Sequence, residues 1–188
     1  MPMLGIMASQ ISGHLWAPSG AYDSIATVTV GSGGSATITF SSIPSTYTHL
    51  QVRLFARGTA ANVQGGVTLQ FNGDTTATNY YSHYMQADGS TVAAGANANA
   101  SIHYDISGAN ATASVFGALI FDILDYANTS KYKTSRVLGG IDNNGSGRMN
   151  LTSGLWSSTA AITSIVLAPY SGNFAQYTSA ALYGIKGV

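Results

Sequence analysis

A chain of 188 residues with zero net charge, no cysteine and only 7 % charged residues stands far from ordinary soluble domains, in which about a quarter of residues are charged. All seven acids are Asp, beside three Lys and four Arg; without Glu there is little material for long solvated helices, and no basic run exists to track phosphates or an anionic membrane. The absence of cysteine removes disulfides and thiolate chemistry, yet a single domain of this length buries roughly 70 % of its unfolded surface and needs neither staple nor metal.

The chain opens on MPMLGIMASQISGHLWAPSG, which carries no acid, Lys or Arg but the apolar residues Leu4, Ile6, Met7, Ile11, Leu15 and Trp16. Gln10, Ser12 and His14 break the apolar run, so it fits neither a secretory signal nor a membrane span, which needs about 20 apolar residues. Left in water it would be an aggregation hazard. The reading is an arm over residues 1–22, folded back on its own domain or inserted into a neighbouring protein, with those six residues as contacts in the second case. Residues 23–188 then form a single β-domain.

From Asp23 the sequence alternates and turns. Ile25 to Val30, the glycine turn Gly31 to Ser35, and Ala36 to Phe40 read as a hairpin. Tyr47 to Arg57 place Leu50, Val52, Leu54 and Ala56 on a core side and His49, Gln51, Arg53 and Phe55 on the other. Val67, Leu69 and Phe71 point inward from a short strand that ends at Asn72-Gly73, the strongest turn signal in the chain. NYYSHYMQADGS gathers Tyr80, Tyr81 and Tyr84 near His83, and the following TVAAGANANAS, almost without side-chain volume, reads as a long exposed loop. Ser101 to Ile106 are a further candidate strand.

The stretch Ser114 to Gly140 reads as the central hairpin. Val115 to Leu124 are apolar except Gly117 and Asp122, which predicts a strand buried on both faces with Ile120 in the core. Lys131 to Leu138 form its partner, with one wetter face. DNNGSG at Asp142 to Gly147 is a turn, and Arg148 to Trp156, Ala160 to Pro169 and Tyr177 to Ile185 complete the count. About ten strands, no helix and turns every 8 to 12 residues predict an all-β antiparallel sandwich or barrel.

None of the chemistry-bearing residues assembles a reaction. The four His lie in unrelated contexts and no G-x-S-x-G elbow exists, so no Ser-His-Asp site is expected. His103 and Asp105 lack a third metal donor, and DNNGSG lacks the distal Glu of a calcium loop. Asp122 and Asp125 fall on opposite faces of a strand rather than flanking a sugar. No enzyme activity, cofactor or metal is expected. Eleven Tyr among Asn, Ser and Gln do suit sugar stacking or adaptable protein contacts, with Tyr80, Tyr81 and Tyr84 as the candidate glycan or subunit contact.

The stretches YDSIATVTVGSGG, FSSIPSTYTHLQVR, FDILDYANTSKYKT, SSTAAITSIVLAP and GNFAQYTSAALYGIK together resemble a group of small β-rich virion proteins of tailed bacteriophages, over nearly all of the chain after Tyr22. Gln86 to Ser101 departs from that pattern. The resemblance implies a virion component on the external surface: a capsid decoration (cement) protein, or a tail-associated fibre or receptor-binding piece that recognises host surface glycan. It also implies jelly rolls assembled as homotrimers and a partner such as the major capsid protein, and it carries over no site residues; that neither nucleic acid nor membrane is a partner is the expectation from zero net charge and the lack of a basic run. One compact domain with an arm suits a protein that clamps an existing lattice. A fibre shows repeats or heptads, and none occur. Capsid decoration is therefore the expectation.

Overall fold

The computed structural model describes residues 21–98 and 102–187, with the side chains of residues 102–104 outside the description. The six arm contacts from Leu4 to Trp16 lie outside the described residues.

The described residues form twelve strands: β1 (Tyr22–Thr29), β2 (Ile38–Phe40), β3 (His49–Ala56), β4 (Gln64–Phe71), β5 (Tyr80–Ala87), β6 (Val92–Ala98), β7 (Ile102–Ser107), β8 (Gly117–Leu124), β9 (Lys133–Asp142), β10 (Gly147–Trp156), β11 (Ile165–Pro169) and β12 (Ser179–Ile185). They form two antiparallel sheets, ordered β1-β12-β3-β8-β9-β10-β5-β6 and β2-β11-β4-β7. The chain swaps sheets at nearly every step: β1, β3, β8 and β12 belong to the large sheet and β2, β4, β7 and β11 to the small one. That double wrapping of four strands against four is a jelly roll. Into it are inserted two hairpins, β5-β6 after β4 and β9-β10 after β8, which pair with each other through β10 and β5 and double the width of the large sheet.

Alternation explains the core. Leu50, Val52 and Leu54 from β3 and Leu119, Phe121 and Ile123 from β8 meet Val67 and Leu69 from β4 and Ile165 and Leu167 from β11, all 2 % exposed or less. Burying side chains of this size contributes roughly 1.5 to 3 kcal/mol each. Gly117 has a packing reason: a Cβ there would collide with the backbone carbonyl of Asp105, so the glycine lets β7 press against the start of β8.

Three expectations are corrected. The strands either side of Gly31–Ser35 are no hairpin, since β1 pairs with β12 and β2 with β11 in opposite sheets. The segment read as a long loop is β6, the edge strand paired with β5 from Tyr81↔Ala98 to Ala87↔Val92; it has too little side-chain volume to signal a strand, and its backbone pairing supplies the order. The strand β8 is central in its sheet but buried on one face only, because among the described residues no second layer covers the outside of the large sheet: Ile120 is 39 % exposed while its neighbour Phe121 is 0 %.

Asn72-Gly73 is the left-handed pair it reads as, with φ of 53° and 67° and Asp74 N–H donating to the Phe71 carbonyl at 2.9 Å. It serves a corner between sheets rather than a hairpin. Asp74 holds that corner, one carboxylate oxygen accepting from Trp156 Nε1 (2.7 Å) and Asn79 Nδ2 (2.8 Å), the other from the Thr76 amide (2.9 Å). These donors, Trp156 first, lower its pKa from 3.8 to about 2.

Candidate interaction surface

The three tyrosines picked out in the sequence are not brought together. Tyr80 is 4 % exposed, its hydroxyl accepting from the Phe71 amide and donating to the Asp74 carbonyl, each at 3.0 Å. Burial pushes its phenol up to about 12. Tyr81, the next residue on β5, faces outward and is exposed; Tyr84 returns to the inner face, with its ring against Gly95 of β6. Strand alternation separates Tyr81 from the other two, and Tyr81 is the most exposed of the three.

What the fold does bring together is an apolar belt across the outside of the large sheet. The registers align Val92, Ala87, Met149, Gly140, Ala118 and Phe55 as one row over six strands. The adjacent row is Ala94, Met85, Leu151, Leu138 and Ile120. Seven of these are large and stand open to solvent: Val92 is 75 % exposed, Met149 61 %, and Met85, Leu138, Phe55, Leu151 and Ile120 between 53 and 39 %. A cleft of about 400 Å³ lies among Met85, Val92, Leu138, Met149 and Leu151, and a second of about 320 Å³ among Arg53, Phe55, Ala118 and Ile120. The Phe55 ring stacks on Phe116 at 5.0 Å, closing one end.

The next row is polar, aligning Gln51, Asp122, Arg136, Ser153 and His83. Asp122 accepts from Gln51 Nε2 (2.8 Å), and Gln51 Oε1 accepts from Arg53 Nε (2.9 Å). The Arg53 guanidinium also lies over the rings of Tyr183 and Tyr22, at 5.1 and 5.7 Å. Arg136 stands across the strand pair from Asp122. From Val92 to Ile120 the two apolar rows carry no ionisable side chain, and Arg53 continues the second row beyond Ile120 and lines the cleft beside Phe55.

Elsewhere polar residues have structural work. Asp105, fully buried and left-handed at φ 130°, takes Arg148 Nε at 3.0 Å, yet burial outweighs that partner and pushes its carboxyl up from 3.8 to about 6. Lys133, 1 % exposed, donates from Nζ to the carbonyls of Asn128, Lys131 and Thr159 at 2.6 to 3.1 Å, and burial lowers its pKa. The DNNGSG segment turns as expected, the Asn144 amide donating to Asp142 Oδ1 at 3.1 Å. Among the described residues no three His or Asp side chains gather as metal donors. Asp122 engages Gln51 on the outer sheet face while Asp125 pairs with Lys131 and His49 in the following turn.

Sequence reasoning missed the belt. Its signal was present, however: β8, β9 and β10 carry large apolar residues at both parities, which reads as burial on both faces and here means burial on one and display on the other. Compared with protein-family profiles, curated proteins and solved structures, the chain matches none of them.

Proposed function

We propose that this chain is a structural subunit of a tailed-bacteriophage particle, a decoration protein seated on the outer capsid. The observation that carries the reading is the belt: a net-neutral chain that leaves seven large apolar side chains side by side on one sheet face is built to be covered. The resemblance of five stretches spread from Tyr22 to Lys186 to virion proteins supplies the setting, and a jelly roll with an apolar arm suits attachment to a preformed lattice. The arm, residues 1–20 with Leu4, Ile6, Met7, Ile11, Leu15 and Trp16, is the segment proposed to grip the major capsid protein. Exposed tyrosines favour the second reading, a tail-associated piece recognising host glycan: Tyr132, Tyr170 and Tyr177 are 56 to 68 % exposed, and Tyr81 is open as well.

Cosedimentation separates the two. Full-length protein mixed with capsids that lack it should pellet with them and should leave purified host surface polysaccharide unbound. Binding to the polysaccharide without binding to capsids would overturn decoration in favour of the tail.

A further inference from the structure

We infer that the belt is the contact between two copies of this chain, stacked large sheet on large sheet, and that this pair is the unit placed on the particle. The inference rests on the assembly reading above and names the neighbour.

Size is the first argument. Seven large side chains at 39 to 75 % exposure, with the Ala and Gly surface between them, offer several hundred Å² of apolar area. That is the scale of the ~800 Å² each partner gives to an interface of standard size. A monomer seldom leaves such a patch in water.

Charge is the second. From Val92 to Ile120 the belt rows carry no ionisable side chain, and Arg53, which ends the second row, is joined to Asp122 through Gln51 within one copy. A strongly charged partner would find no counter-charge here and would lose its own hydration. A second belt brings an equally uncharged surface, and copies of zero net charge approach without long-range repulsion.

Relief is the third. Along one row large and small side chains alternate, with Ala87 between Val92 and Met149, and Gly140 with Ala118 between Met149 and Phe55. A two-fold rotation can lay the Met149 of one copy over the Gly140–Ala118 dip of the other, the interdigitation by which packed sheets fill their interface.

Sedimentation velocity of the full chain tests this. The wild type should sediment as a dimer. Leu138→Arg and Leu151→Arg, at positions 51 and 47 % exposed where a guanidinium stays solvated in the free protein, should each weaken pairing by about a hundredfold or more while circular dichroism stays unchanged. Leu138→Met, which keeps an apolar side chain, should still pair. A monomeric wild type, or Arg variants that dimerise as well as wild type, would overturn the inference. If the full chain is monomeric and a chain lacking residues 1–20 dimerises, the belt is covered by the chain's own arm. If the Arg variants dimerise normally yet no longer pellet with capsids, a different virion protein covers it. Both outcomes reject the pair and leave decoration standing. A wild type that dimerises through the belt but ignores capsids does the reverse.

Discussion

Two adjacent residues of β8 offer the sharpest test of how the sandwich is built. Phe121 is fully buried, between Val52 of β3 and Val137 of β9 in register, whereas Ile120 lies on the outer face between Arg53 and Leu138. Phe121→Ala removes most of a ring from a site with no solvent to fill it, and such truncations cost about 3 to 5 kcal/mol. For a domain of this size each kcal/mol lowers Tm by about 2 to 4 °C, so a fall of about 6 to 20 °C is expected. Ile120→Asp puts a carboxylate where water already reaches, beside the Arg53 guanidinium. It forfeits partial burial only and should cost about 1 kcal/mol, or a few degrees. Thermal melts followed by circular dichroism at submicromolar protein, where association of copies contributes little, compare the two directly. An unfolded Ile120→Asp beside a nearly unperturbed Phe121→Ala would mean that the two faces of the large sheet are inverted and that the belt is the core.

Three further outcomes follow from particular contacts. Asp74 has a folded pKa lowered from 3.8 to about 2, so its contribution is complete above pH 3.8 and is lost as pH falls toward 2; acid unfolding followed by fluorescence should show this step, and Asp74→Asn should remove it. Asp105 has a folded pKa raised from 3.8 to about 6, so the native state holds a proton that the unfolded chain has released: stability should decline as pH rises from 3.8 to 6 by about 2 kcal/mol at most, and Asp105→Asn should flatten that slope in chemical denaturation. Deleting residues 1–20 should leave the melt of the β-domain nearly unchanged and reduce loading onto capsids by orders of magnitude; a truncated chain that unfolds would place the arm in its own core.

The sequence is most legible where one side of a strand is wet. In β3 polar Gln51 and Arg53 alternate with Leu50, Val52 and Leu54, and in β4 Thr68 and Gln70 alternate with Val67, Leu69 and Phe71; both inner faces are where the alternation puts them. It is least legible where local chemistry and long-range pairing disagree. GSGGS is a turn by composition, and the Gly34 amide does donate to the Gly31 carbonyl at 3.0 Å, but in a jelly roll the two strands it joins belong to different sheets. β6 has the opposite problem, being ordered by pairing with β5 while its Val-Ala-Ala-Gly-Ala-Asn-Ala carries almost no propensity to read. The tyrosines are divided for a third reason, that residues on a strand share a face only at even spacing, which sets Tyr81 apart from Tyr80 and Tyr84.

The inserted hairpins connect these misreadings to function. Strands β1-β12-β3-β8 and β2-β11-β4-β7 complete a jelly roll without β5, β6, β9 and β10. Those four strands add width to the large sheet, and they supply five of the seven large side chains of the belt: Met85, Val92, Leu138, Met149 and Leu151. Strands inserted only to stabilise a fold would be expected to hide apolar side chains and show polar ones, as β3 mostly does. In β10 the outer positions include Met149 and Leu151 while the inner Asn150 and Thr152 are buried, and β9 adds an exposed Leu138 and a buried Lys133 and Ser135, although its Val137 and Ile141 are buried and its Arg136 exposed in the ordinary way. That inversion costs desolvation inside, offset by bonds such as those from Lys133 to three carbonyls, and it gains nothing outside unless the face is covered. The hairpins are therefore better explained as the part of the chain devoted to contact with another molecule than as part of the scaffold that holds it up.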